Sequence, residues 1–164
     1  MEYHTIDPVF DSNSNILILG SFPSVKSREA EFFYGHPQNR FWKVLAAVFD
    51  EKIPQTVPEK KAFLLRNRIA LWDVIASCEI TNSDDSTIRN IRVNDIAQIL
   101  NHANIQKIYL AGKTAQKYYN RYLRSSLARD AVCLPSTSPA NASWTLARLT
   151  EAWKCIRLDN RDTK

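Results

Sequence analysis

The chain has 164 residues, 45% of them apolar and 24% charged, which suits one domain spanning 1–164 with a substantial core. No apolar run reaches the roughly 18 residues of a membrane helix, and the opening MEYHTIDPVF is polar and acidic, so a soluble intracellular (cytoplasmic) protein is expected. The net charge of +5 and isoelectric point near 9.2 favour a polyanionic partner without establishing one.

In chain order, the aliphatic run Asn15–Leu19, stopped by Gly20, reads as a buried strand. Phe41, Val44, Leu45, Val48 and Phe49 recur at helical spacing, with Pro37 suited to the first turn. Pro58–Asn67 reads as a second helix and Ile69–Ile75 as a strand. Asn82–Asn90 (NSDDSTIRN) reads as a polar loop, and Asn94 is placed to cap a helix carrying Ile96, Ala97, Ile99 and Leu100. Lys107–Ala111 is a strand stopped by Gly112, and Thr114–Leu123 a helix with Ala115, Tyr118, Tyr119 and Tyr122 on one side. Ala131–Leu134 is a last strand, stopped by Pro135. A final helix is predicted from about Asn141 to Arg157, with residues 160–164 frayed. Strands alternating with helices imply an α/β fold whose mostly parallel sheet is covered on both faces, with ligands beyond the carboxyl ends of its strands.

Four segments at those strand ends carry the chemistry. Gly20-Ser21-Phe22-Pro23-Ser24 follows the first strand; its glycine permits a tight turn, and its hydroxyls and amides suit an anion or a base edge. It lacks the P-loop ending and the nucleophile-elbow pattern, and a purely structural turn is the competing reading. Tyr34-Gly35-His36-Pro37-Gln38-Asn39 precedes a helix starting near Arg40; capping by His36 or Asn39 competes with a pocket role, while Phe41 and Trp42 read as core. Asp73 ends a strand, as a pocket acceptor or a turn cap. In Leu134-Pro135-Ser136-Thr137-Ser138-Pro139-Ala140-Asn141, Ser138 as N-cap and Pro139 at the first helical position explain part of the pattern, and a phosphate site at a helix N-terminus is the functional alternative. Cys78, Cys133 and Cys155 form no C-x-x-C pair, so buried free thiols are expected rather than a metal site.

These segments, GSFPSVKS, YGHPQNRFWKVL and LPSTSPAN in this order between Ile16 and Trp153, resemble the uracil-DNA glycosylase superfamily, and within it the hypoxanthine-DNA (deoxyinosine) glycosylase branch. The stretch around Asn39 is also similar to the NxFWK stretch of thymine- and mismatch-directed glycosylases. The resemblance implies a three-layer sandwich around a four-stranded parallel sheet, and an enzyme that flips a deaminated nucleotide into a pocket and hydrolyses its glycosidic bond without cofactor or metal. Mismatch-directed relatives place a water-holding Asn, and uracil-specific ones an Asp, where this chain has Phe22; Leu134 stands where uracil-specific enzymes commonly carry a His. By resemblance Asn39 takes over the water, Tyr34 stacks on the extruded base, and Asp73 stands where relatives often read the base with Asn.

The chemistry then follows. Cleavage builds positive charge on the sugar, as in other glycoside hydrolysis, and negative charge on the base. Asn39 would hold the water by position rather than basicity. Ser21, Phe22 and Pro23, with Tyr34 and Asp73, would bind the base, the amides of Ser21, Phe22 and Ser24 facing its developing charge. Ser24, Lys26, Ser27, Ser136, Ser138 and Asn141 would meet DNA, single- or double-stranded. No lysine lies in the catalytic motifs to form a Schiff base, so a monofunctional enzyme is expected, acting as a monomer. The competing readings are a uracil- or xanthine-preferring enzyme, an inactive nucleic-acid-binding module, and a small-molecule hydrolase using Ser24 or Ser138, for which no base and orienting partner are apparent.

Overall fold

The structure, a computed structural model, describes residues 1–157. Its strands are β1 (Glu2–Tyr3), β2 (Ile16–Gly20), β3 (Ile69–Asp73), β4 (Ile75–Thr81), β5 (Asp84–Val93), β6 (Lys107–Ala111) and β7 (Val132–Leu134). Its helices are α1 (Val25–Ala30), α2 (Phe41–Phe49), α3 (Val57–Arg66), α4 (Ala97–His102), α5 (Lys113–Tyr122), α6 (Arg124–Leu127) and α7 (Leu146–Trp153).

Four strands form a parallel sheet in the order β3-β2-β6-β7, with Ile18 opposite Leu71 on one side and Tyr109 on the other. Every residue of β2 and β3 is buried. Successive side chains of a strand point to opposite faces, so burial of all of them means that helices cover both faces, the three-layer arrangement expected of a parallel sheet. Phe41 and Trp153 meet edge to face at 5.9 Å where α2 packs on α7. Phe41 and Trp42 are core residues, as expected. Thr56 and Glu59 close a capping box at the start of α3, so Pro58 sits inside the first turn rather than opening it.

The structure departs from the sequence reading at several termini. Pro37 lies outside α2, whose first residue is Phe41. The strand predicted to Ile75 breaks at Val74, whose N–H donates to Gly20 O, and the chain then leaves the parallel sheet as β4. Of residues 82–90 only Asn82 and Ser83 are a turn; from Asp84 the chain is β5, antiparallel to β4, with β1 on the other edge of β4. Its exposed pattern explains why DDSTIRNIRV carries no apolar alternation. Asn94 does not cap α4; it is nearly buried and its Nδ2 donates to the carbonyls of Asp73 and Ile75, holding the β3–β4 junction. Helix α7 begins after Thr145, whose hydroxyl accepts from Arg148 N, so Ser138 and Pro139 belong to the preceding loop. Tyr122 is 39% exposed although Ala115, Tyr118 and Tyr119 are buried. The predicted tail 160–164 lies outside the described residues.

Candidate active site

A cavity of about 790 Å³ opens at the carboxyl ends of the parallel strands, where Gly20, Asp73, Ala111 and Leu134 end β2, β3, β6 and β7. Of the residues singled out in the sequence, Ser21, Phe22, Pro23, Ser24, Ser27, Tyr34, Asn39, Asp73, Ser136, Ser138 and Asn141 line it. Lys26 does not: it is exposed on α1, 3.9 Å from Glu29.

Asn39 is held from two directions. Its Oδ1 accepts from the Phe41 backbone N–H at 2.9 Å, an Asx-type turn that opens α2, and from the Thr137 hydroxyl at 2.8 Å. A backbone N–H only donates, so the amide orientation is determined: oxygen inward, Nδ2 free of protein partners among the described residues. Neither His36 nor Asn39 is the N-cap of α2, which is Arg40; the Asn39 side chain combines the Asx-type turn with a place in the cavity. The Arg40 N–H donates to Thr137 O at 3.1 Å, which ties the same two segments a second time.

Arg40 itself organises the loop after β7. Its guanidinium donates to the carbonyls of Ser138 (3.0 Å), Asn141 (3.2 Å) and Trp144. Asn141 Nδ2 donates to Ser136 O, and Trp153 Nε1 to Pro135 O. Ser138 Oγ accepts from Ala140 N, and Ser136 Oγ from Ser138 N. Gly112, at φ 102°, lets the end of β6 press against this loop; a Cβ there would lie 3.1 Å from that of Ser136.

At the floor, Asp73 is buried and its Oδ2 lies 2.8 Å from His4 Nε2. His4 Nδ1 accepts from the Ile6 N–H at 3.2 Å, so in the neutral ring Nε2 carries the hydrogen and donates to the carboxylate. Gly20 makes room for this arrangement: a Cβ on it would stand 2.4 Å from Asp73 Oδ1 and 2.8 Å from Tyr34 Oη. Tyr34 adopts φ 55°, uncommon for a bulky residue, and stacks on Phe41 at 3.9 Å between ring centres. Its hydroxyl is buried without a hydrogen-bond partner among the described residues, and burial, then the Asp73 carboxylate, push the phenol well above its ordinary range.

The first loop is braced internally. Ser24 Oγ caps α1 by accepting from Ser27 N, and the buried Ser27 Oγ accepts from Ser24 Oγ and Gly35 N. Ser27 thus joins the Ser24 turn to the Tyr34 segment. The β4–β5 hairpin reaches over the same edge, where Ser83 Oγ accepts from Val25 N at 3.0 Å.

Sequence reasoning missed His4, Arg40, Thr137, Trp144 and Lys113; the last two line the cavity, as Thr137 does. Arg40 and Thr137 sat within recognised motifs, but their partners lie 98 to 104 residues away and left no local signal. His4 lies 69 residues from Asp73, outside every motif.

The sequence model of the uracil DNA glycosylase superfamily matches residues 8–157. A hypoxanthine DNA glycosylase from Methanosarcina acetivorans is 33% identical over 150 residues, 90% of this chain and 93% of its own. One of the same name from Methanosarcina barkeri is 30% identical over 86% of this chain and 89% of its own. A solution NMR structure of a candidate uracil DNA glycosylase from Methanosarcina acetivorans superposes with a TM-score of 0.81 at 30% identity, covering 95% of this chain and 97% of that one. With its parallel sheet, its motif loops at the strand ends and these relatives over nearly its whole length, the chain belongs to the uracil DNA glycosylase superfamily.

Proposed function

We propose that this chain removes hypoxanthine from DNA by hydrolysing the bond between base and deoxyribose. The observation that carries the reading is one cavity holding both the Asn39 carboxamide and the Asp73 carboxylate, in a chain related over most of its length to hypoxanthine DNA glycosylases.

A nucleotide turned out of the duplex enters beyond β2 and β3. Extrusion costs a few kcal/mol, less for a mispaired base. The ring of Tyr34, backed by Phe41, stacks on the base and returns on the order of 1–3 kcal/mol. Asp73 Oδ1 accepts the N1–H of hypoxanthine; adenine has no hydrogen at N1. The amides of Ser21, Phe22 and Ser24 face the charge that develops on the leaving base, with Phe22 and Pro23 shaping the wall. Because Asn39 Oδ1 already accepts two hydrogen bonds, its N–H group holds the water, through a lone pair, and leaves the other lone pair for the anomeric carbon. Asn39 thus supplies placement and not proton abstraction, which suffices for a carbon already close to an oxocarbenium ion: the glycosidic bond breaks with its electron pair on the base, the water oxygen bonds to the carbon and releases a proton to solvent, and the base anion takes one up.

Ser24, Ser136, Ser138 and Asn141, with Lys26 and Lys113, meet the phosphates, and Ser27 supports them by fixing the Ser24 turn. The enzyme acts inside the cell as a one-domain monomer without cofactor. Among the described residues no helix is long and apolar enough to cross a membrane.

The test is release of base from duplexes carrying one hypoxanthine, uracil or xanthine, read as strand breakage in hot alkali. Hypoxanthine release that falls on the order of 100-fold in Asn39→Ala, with duplex binding retained, supports the reading. Uracil carries a similar lactam N–H and is the chief competitor; cleavage confined to uracil would replace hypoxanthine as the substrate. Binding without release of any base would make the chain a nucleic-acid-binding module.

A further inference from the structure

We infer that His4 is the positioning residue that makes Asp73 a reader of lactam bases. The inference rests on the proposed contact of Asp73 with the extruded base.

The argument starts from hydrogen-bond capacity. Asp73 sits at the end of β3 with its side chain almost wholly buried, and an ionised carboxylate there needs donors. Its Oδ2 has one, His4 Nε2 at 2.8 Å. Its Oδ1 has no hydrogen bond among the described residues and points past Gly20, which lacks the Cβ that would collide with it. The carboxylate is therefore divided: one oxygen held by the protein, the other offered to the cavity.

His4 is itself fixed. The Ile6 N–H donates to Nδ1, which leaves the hydrogen on Nε2. The ring is enclosed by Phe22, Phe33 and Trp72, with centroids 6.0–6.3 Å away, and its side chain is 1% exposed. The short strand β1 delivers it: Tyr3 pairs with Ser77, and His4 N donates to Ala76 O. The N-terminal segment thus completes the floor of the cavity.

The consequence is chemical. With His4 donating, Asp73 Oδ1 stays an acceptor, which fits the ring N–H of hypoxanthine, uracil or xanthine. Without that donor Oδ2 loses its partner and the carboxylate is free to turn, so Oδ1 is no longer aimed at the ring N–H of a lactam base. His4 acts through Asp73, so its loss changes which base is held more than how quickly a held base departs.

The experiment uses the full chain and duplexes carrying non-hydrolysable 2′-fluoro analogues of deoxyinosine or deoxyadenosine, with affinity measured for each. His4→Phe keeps a flat ring and removes the donor; His4→Gln keeps an N–H. We expect His4→Phe to reduce the inosine-over-adenosine preference by about tenfold, the scale of one hydrogen bond to a charged group. His4→Gln should recover most of it. With hydrolysable inosine DNA, His4→Phe should raise KM more than it lowers kcat. An unchanged preference in His4→Phe, while Asp73→Asn alters it, would overturn the role of His4. An unchanged preference in Asp73→Asn would instead remove the base-reading contact beneath it. Should His4→Phe not fold, His4→Asn, whose shorter amide falls short of Asp73, takes its place with the same two outcomes.

Discussion

Thr137 Oγ1 donates to Asn39 Oδ1 at 2.8 Å, joining the loop after β7 to the start of α2 across 98 residues of sequence. The same oxygen accepts from Phe41 N, so two donors from different elements set the direction of one carboxamide. Thr137→Val removes one donor at nearly constant shape. We expect kcat to fall about tenfold with KM little changed, for about 1 kcal/mol of stability. Thr137→Ser should restore both. Single-turnover rates and thermal melts check this, and equal rates for Val and Thr would show that the Phe41 contact alone is enough.

Arg40 holds three carbonyls of the loop between β7 and α7. Arg40→Leu leaves them without their charged donor. The expected loss is about 2–3 kcal/mol, or a fall in Tm of about 4–12 °C. Amide exchange should quicken at residues 138–144 before the rest of the chain opens. Unchanged exchange there would mean that Asn141 and the anchoring of Pro135 by Trp153 are sufficient.

Gly20→Ala should place a methyl group 2.4 Å from Asp73 Oδ1 and 2.8 Å from Tyr34 Oη. Both partners are held, Asp73 through Oδ2 to His4 and Tyr34 by stacking on Phe41, so the methyl group displaces a fixed arrangement. A displacement of about 1 Å at the cavity floor is expected to slow base release on the order of 100-fold. Base-release rates and affinity for inosine duplex check this; wild-type values would show that the cavity floor is not where the base rests.

Tyr34 carries a buried phenol whose ordinary ionisation is pushed upward. In the unfolded chain it ionises near pH 10. Its folded-state contribution is therefore fully present below that pH and declines as pH rises further, because the unfolded chain sheds the proton first. Tyr34→Phe should flatten this alkaline decline in denaturant melts followed from pH 8 to about 11. It should not lower stability at pH 7, since the hydroxyl has no partner among the described residues. If the stacking role holds, Tyr34→Phe should also keep most of the affinity for inosine DNA.

The four parallel strands were legible because burial on both faces turns them into short aliphatic runs, ILILG, IALWD and KIYLA above all, the first two ended by Gly20 and Asp73 and the third followed by Gly112. The motif loops were legible because residue types such as those of GSFPS and LPSTSPAN are informative within a few positions. The antiparallel hairpin β4–β5 was not, since an exposed strand is under no demand to alternate apolar and polar residues. Nor did local pattern reveal that Asn39 Oδ1 is taken up by Phe41 N and Thr137 while its amide N–H stays free of partners among the described residues, because that depends on Thr137 arriving from the far end of the chain. His4 is the clearest case. Nothing near it in sequence marks it, and its meaning arises only when β1 pairs with β4 and sets the imidazole against Asp73. Hydrophobic spacing and turn chemistry are short-range properties, so the sequence alone determined the parallel strands and the motif loops at their ends. A hydrogen bond between residues 69 or 98 positions apart exists only once packing has closed the intervening chain, and that decided which oxygen of Asp73 and which end of Asn39 the cavity receives.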